Sequence, residues 1–598
     1  MDNLFDINVN LIVIVASIST VAVTIASYAA LRLILEKPPA RFHVQVPPEA
    51  KPDWKATTTI SNPSIRDPND PTVIICYDPA TGKYLSTVKA HTAVDVTEAI
   101  SRARIAQKSW EKTSFAERKR VLNSLLNYII EYQEEICWVT CRDSGKTMVD
   151  AMLGEILSTC ERIRWTIKNG EKALATEFFD PGPLLPYKIA KIEYQPLGVV
   201  AALVSWNYPF HNLFGQIISA LFAGNGILVK ASEQVAWSVD YFSRIMKTCL
   251  NACGHDPEIV QFLCGYADCG EAIVRSGVDG ITFVGSPQVG KQVMKTASDS
   301  LTPCILELGG KDAAILREDA NLDQAIPIIM RGTFQNTGQN CVGIERVLVH
   351  EKLYDEFVRR VKEKITGDKL RVGCSLEEGE GKVDVGALTM SGQASRLENL
   401  INDSVSQGAK LVIGGKSYTH PIYPSGQYFT PTLLVDVTPS MPISQHEVFA
   451  PIMTVMKFQT DEEAIEMCNG CPYGLGNSVF TRDQAKGNQM AKRLKSGMVN
   501  VNDFAVAYIC NLPFGGVGIS GFGRFGGREG LRAMCLAKSV TLDRFPLIVK
   551  TTIPTVVDYP MHARGTTFVE NLVRVIYKND ILERIKGGLA LAREFMGR

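Results

Sequence analysis

Val199-Val200-Ala201-Ala202-Leu203-Val204-Ser205 runs directly into Trp206-Asn207-Tyr208-Pro209-Phe210. The first seven residues are a short apolar run of the kind that forms a strand buried on both faces, and the Pro-containing turn after it leads into a helix. Gly226–Ala231 (Gly-Ile-Leu-Val-Lys-Ala) repeats the run, and residues 280–284 (Gly-Ile-Thr-Phe-Val) repeat it again. Strands alternating with helices imply a parallel sheet whose ligand sites lie beyond the carboxyl ends of its strands. Residues 313–316 and 346–350 suggest a second α/β region, and 94–110 and 114–139 carry helical spacing. The fold class is α/β.

Three segments offer chemistry. Cys341 ends Gly338-Gln339-Asn340-Cys341, Glu307 opens Glu307-Leu308-Gly309-Gly310-Lys311, and Asn207 sits in the turn after the first strand. A thiolate, a general base and a side-chain amide for an oxyanion are the set that oxidises a carbonyl through a thioester. Each run is a weak signal alone; their order and flanking residues strengthen it.

The chain has 598 residues, 45% hydrophobic and 21% charged, which suits two or three globular domains. Lys plus Arg equals Asp plus Glu at 63 each, so no basic excess points to nucleic acid. Fifteen Cys in this length read as free thiols, not a disulfide scaffold. Cys468-x-x-Cys471 has no second pair to complete a four-ligand zinc site, so no metal is expected. Gly285-Ser286-Pro287-Gln288-Val289-Gly290-Lys291-Gln292 nearly matches a P-loop, but Gln292 stands where magnesium needs a hydroxyl. Ser144-Gly145-Lys146-Thr147 has the fitting end without the first Gly. Gly516-x-Gly518-x-x-Gly521 follows no strand and is discounted as a dinucleotide fingerprint.

Ile7 through Leu31 contain no charged side chain. Such a helix would span roughly 37 Å, enough to cross a bilayer with some tilt. Asp2 and Asp6 before it disfavour a signal peptide, and Arg32, Lys37 and Arg41 after it place the body in the cytosol. The span has no other address, which suggests the endoplasmic reticulum. Residues 38–71 are Pro-rich and polar and read as a tether. Residues 568–598 have apolar positions at helical spacing with several Lys and Arg; they suit either an anionic membrane surface or packing on the body.

Pooled, seven motifs resemble the aldehyde dehydrogenase superfamily, in its order, from about residue 75 to 545: Trp206-Asn207-Tyr208-Pro209, Lys230-Ala231-Ser232-Glu233, Phe283-Val284-Gly285-Ser286, Glu307-Leu308-Gly309-Gly310-Lys311, Gly338-Gln339-Asn340-Cys341, Glu447-Val448-Phe449-Ala450-Pro451 and Pro513-Phe514-Gly515-Gly516. With the apolar N-terminus, the chain looks most like a membrane-anchored branch. The resemblance implies a Rossmann-like NAD domain (72–178 and 197–306), an α/β catalytic domain (307–512) and a bridging β-element (179–196, returning in 513–546), flanked by the anchor (1–37), the tether (38–71) and a tail (547–598). It implies Cys341 as nucleophile, Glu307 as base for the hydrolytic water and Asn207 as oxyanion donor. It places Trp206, Gly285, Ser286, Gly290, Glu447 and Phe449 by the cofactor, with Lys230 and Glu233 at the adenosine ribose. A carboxylate there favours NAD over NADP. It further implies a homodimer or homotetramer, and the anchor suggests medium- or long-chain apolar aldehydes. Phe525 replaces an acidic residue of many hydrolytic members, and Ile344-Glu345-Arg346 and Ala450 also depart from the usual pattern. Transfer of the thioester to coenzyme A, and an idle membrane scaffold, are the rival readings.

Overall fold

A computed structural model describes residues 37–367, 369–379 and 381–595. The apolar run 7–31 lies outside the described residues, among which no helix is long and apolar enough to cross a membrane. The chain forms two units. One comprises the described residues to Ala173 together with Pro196–Met534; the other comprises Leu174–Gln195 and Cys535 onward.

The first unit holds two sheets. In the six-stranded sheet, Val199–Leu203 lies between Gly226–Ala231 and Ile281–Val284, with Val260–Cys264 beyond the former and Cys304–Glu307 beyond the latter. These five strands are parallel. Val199 through Leu203 are buried without a break, as a strand covered by helices on both faces must be. The sixth strand, Gly521–Phe522, pairs antiparallel with Cys304–Glu307. The return segment thus first completes this sheet and only then reaches the strand Cys535–Asp543.

The seven-stranded sheet runs Lys410–Ile413, Thr432–Val435, Ile452–Phe458, Ile344–His350, Asp312–Leu316, Gly476–Phe480, Met498–Val501. All its pairs are parallel except the first. Residues 94–110 fall in one helix, Ala93–Trp110. The pattern over 114–139 is instead two helices, Phe115–Glu131 and Gln133–Ser144, broken where Tyr132 leaves the helical region at φ −113° and ψ 27°.

The stretch read as a tether is pinned to the unit in its first part. Ala40 N–H donates to Ser124 Oγ at 2.8 Å, and Phe42 stacks on Tyr128 with centroids 4.6 Å apart. Val44, Val46 and Ala50 are buried. Proline and polarity marked this segment as irregular; the apolar residues between the prolines are what dock it.

In the second unit, Lys188–Pro196 lies between Cys535–Asp543 and Glu177–Phe179. Gly565–Tyr577 and Ile581–Phe595 form a helical hairpin. At Gly587 the helices approach closely: a Cβ there would stand 3.1 Å from Val575 Cγ2 and 3.2 Å from Asn571 O.

Candidate active site

Asn207, Gly285 and Glu307 follow or end three neighbouring parallel strands, Val199–Leu203, Ile281–Val284 and Cys304–Glu307. The strand order thus collects an amide, a helix start and a carboxylate on one edge. Cys341 comes from the loop between the helix Leu322–Phe334 and the strand Ile344–His350. All four line one cavity of about 690 Å³, with Trp206, Ser286, Glu447 and Phe449. Lys230, Glu233 and Gly290 are not in its lining.

Backbone conformations that few residues tolerate bring the loops this close. Asn336, Thr337 and Gly338 all have positive φ, at 53°, 59° and 72°. A Cβ on Gly338 would stand 2.2 Å from Ala450 O. At Gly309 (φ +77°) a Cβ would stand 2.4 Å from Glu447 Oε1, and at Gly310 it would stand 2.5 Å from Cys341 O. The two glycines after Glu307 therefore let the base segment touch both the nucleophile loop and Glu447. Gly310 N–H donates to Glu447 Oε1 at 3.1 Å. Gly309→Ala should cost about 1–3 kcal/mol from the left-handed conformation alone and push Glu447 aside; thermal unfolding and cofactor titration would measure both effects.

Glu307 is buried, its Oε1 has no hydrogen-bond partner, and burial pushes its pKa up to about 7. It interacts with the Cys341 thiol. That thiol is raised well above its ordinary value, first by burial and then by the charge of Glu307. A protonated thiol thus faces a carboxylate that titrates near neutrality, which suits proton transfer between them.

The Asn207 amide is held from both sides. Its Oδ1 accepts from Ser205 Oγ at 2.6 Å and Asn212 Nδ2 at 3.2 Å, which turns its N–H toward the nucleophile loop, 3.2 Å from Gln339 O. Its backbone carbonyl accepts from Asn336 Nδ2 at 2.9 Å and from Lys146 Nζ at 2.7 Å. Lys146 pairs with Glu155 at 2.5 Å, both fully buried, and Glu155 accepts from His211 N–H at 2.8 Å. In the sequence, Lys146 stands only within an incomplete P-loop match. In the structure Gly145 ends one helix in the left-handed conformation and Thr147 caps the next. Only the Lys was a signal, and nothing in the sequence marks its pairing with Glu155.

Glu345, read as a departure from the family pattern, accepts from Val448 N–H at 2.9 Å and Phe449 N–H at 2.8 Å and pairs with buried Lys311 at 2.5 Å. It fastens the segment bearing Glu447 and Phe449. The Phe449 and Trp206 rings meet edge to face at 5.4 Å. Tyr508, also missed from sequence, lines the cavity and hydrogen-bonds His211, whose Nδ1 lies 2.8 Å from Thr159 Oγ1. Burial holds His211 neutral, near pKa 3.

The cofactor positions form two groups. Ser286 caps the helix Pro287–Ala297, accepting from Val289 N–H at 3.4 Å, and a Cβ on Gly285 would strike the Phe283 ring at 2.7 Å. An open helix start with a bare Gly before it suits a phosphate group. Gly290 instead serves packing, since a Cβ there would stand 2.3 Å from the Leu308 side chain. Lys230 Nζ pairs with Glu233 Oε2 at 3.2 Å, past the carboxyl end of Gly226–Ala231.

Residues 65–540 match the model of the aldehyde dehydrogenase family. The chain belongs to that family. It is an oxidoreductase of the NAD(P)-dependent aldehyde dehydrogenase class. An aldehyde dehydrogenase-like protein of Saccharomyces cerevisiae is 46% identical over 598 residues, covering 98% of this chain and 91% of that one. Aldehyde dehydrogenase 1 of the same yeast, named for NAD(P)+, is 32% identical over 79% of this chain and 93% of its own. The crystal structure of a Mycobacterium tuberculosis aldehyde dehydrogenase complexed with NAD+ superposes with TM-score 0.74 at 30% identity, covering 81% of this chain and 97% of that one. The family accounts for the α/β fold and for the oxidation of aldehydes to acids.

Proposed function

We propose that this dehydrogenase oxidises apolar aldehydes of medium or long chain with NAD, through a thioester on Cys341 that Glu307 hydrolyses. The carrying observation is the convergence of Cys341, Glu307 and Asn207 on one cavity. Glu307 takes the thiol proton as sulfur attacks the aldehyde carbon. The Asn207 side-chain N–H and the backbone N–H of Cys341 receive the oxygen as its charge develops, and one such donor is typically worth about 3 kcal/mol. Trp206, Gly285, Ser286, Glu447 and Phe449 would hold NAD, which when bound would supply the acceptor for the hydride that leaves the adduct carbon. Glu307 gives the thiol proton up to solvent and is a carboxylate again; it then draws a proton from water, whose oxygen attacks the acyl carbon, and as the C–S bond breaks that proton passes to the leaving thiolate, which restores the thiol and frees the acid.

The cavity lining supports an apolar substrate. Leu153, Leu157, Ile328, Val342, Ile509 and Phe525 line it. Of the two arginines in the lining, Arg331 pairs with Asp150 at 3.1 Å and Arg396 donates to Val448 O at 2.9 Å. Phe525, in place of a relay acid, packs on Phe514 with centroids 4.8 Å apart and adds apolar wall. A chain-length series with purified enzyme tests the reading: kcat/KM should rise from short polar aldehydes to long apolar ones, and the reverse order would reject it. NADH yield unchanged by coenzyme A would separate hydrolysis from acyl transfer.

The ion pair of Glu233 with Lys230 supports NAD. Glu233→Ser should relax the NAD to NADP ratio of kcat/KM by about tenfold or more, since like charges set side by side cost over about 1.4 kcal/mol; an unchanged ratio would remove Glu233 from the ribose. Membrane attachment through residues 7–31, with the body facing the cytosol and the endoplasmic reticulum as its site, rests on the uncharged run and the cations after it. Alkaline extraction of membranes should leave the protein in the pellet.

A further inference from the structure

We infer that the C-terminal hairpin carries a second membrane contact: the helix Ile581–Phe595 lies along an anionic lipid surface. The hairpin is outside the residues that match the family, which end at 540, so the family fold does not call for it. At 100° per residue, Ile581, Ile585, Leu589 and Ala592 fall on one stripe, with Leu582 at its edge. The four large apolar residues are 54–70% exposed. The buried Gly587 and the half-buried Ala590 and Leu591 lie on the other side, and Gly587 meets Val575 of the neighbouring helix. The helix thus spends one face on the hairpin and leaves a wider apolar face uncovered.

Charge says what suits that face. Residues 544–598 contain nine Lys and Arg against five Asp and Glu, in a chain whose total is zero. On the helix itself, Lys586 and Arg593 flank the apolar stripe on one edge and Arg584 on the other. Arg584 donates to Val575 O at 2.8 Å and Lys586 pairs with Glu583 at 2.8 Å, so the cations are held at the borders of the stripe. An apolar stripe edged by cations is the pattern of helices that lie in the headgroup layer. A second copy fits it poorly: a two-fold contact through this stripe would bring the same flanking cations against themselves.

The test uses the full chain in lipid nanodiscs, read by hydrogen–deuterium exchange. Discs of phosphatidylcholine with phosphatidylserine should slow exchange in 581–593 relative to discs of phosphatidylcholine alone, although an N-terminal anchor would hold the protein in both. Lys586→Gln with Arg593→Gln should weaken the contact about thirty-fold, at roughly 1 kcal/mol per cation, and Leu589→Asp should abolish the slowing. Leu589 is exposed, so exchange in the strands of the two large sheets should be unchanged. Equal exchange in both discs would overturn the inference. So would slowing that follows protein concentration in detergent, which would assign the stripe to a second copy.

Discussion

Cys341→Ala is expected to abolish aldehyde-dependent NADH formation, with a loss of at least about 10⁴-fold, because the nucleophile and the carrier of the intermediate vanish together. The loss should come without unfolding. Cys341 is partly exposed to the cavity, and Ala removes one sulfur from a wall that already faces open space. The variant should therefore melt close to the parent and still bind NAD. It should also resist alkylation at this loop while the 14 other thiols, all free in the structure, react as before. Residual turnover above about one part in 10⁴ would mean that another group attacks the aldehyde.

Glu307→Gln should separate the two halves of the reaction. Gln keeps the shape but cannot accept a proton, so deacylation should slow by about 10²–10⁴-fold. Attack by the thiol, which can lose its proton to water at higher pH, should slow less. The expected record is a burst of NADH of one equivalent per site, then near silence. In the parent, activity should rise with pH through about 7, the value to which burial lifts Glu307, and the variant should lose that limb.

Stability should move the opposite way. The carboxyl pKa is raised in the folded state, so between its ordinary value and about 7 the folded protein binds more protons than the unfolded one. Stability from this group is complete below that window and falls as pH rises through it. Above pH 7 the deficit is about 3 kcal/mol at 1.36 kcal/mol per unit. Glu307→Gln should recover most of it at pH 8 and little at pH 5, a site made stable by making it idle. Thermal unfolding at the two pH values would show the difference.

The parallel sheet was legible because a strand buried on both faces, such as Val199–Leu203, leaves an unbroken apolar run. The residues that face the reaction were legible because Gly spacing around Glu307 and Cys341 reflects steric need: a Cβ at 309, 310 or 338 would strike Glu447, Cys341 O or Ala450 O. What holds those residues was not. Lys146 reaches Asn207 across 61 positions and Glu155 reaches His211 across 56, and Glu345 reaches Val448 across 103 positions of chain. Tyr508 and His211 join over 297 positions. Local periodicity carries no trace of such pairs. The break at Tyr132 escaped because the apolar spacing continues through it, and 38–50 read as a tether because its few apolar residues alternate with polar ones between the proline pairs Pro38-Pro39 and Pro47-Pro48.

The most direct test is the mass of the Cys341 peptide from Glu307→Gln enzyme quenched after one turnover with NAD and a long-chain aldehyde. The thioester account predicts that the peptide gains the acyl group, in step with one equivalent of NADH and reversibly by hydroxylamine. NADH formed with Cys341 unmodified, or the acyl group found on another residue, would contradict it.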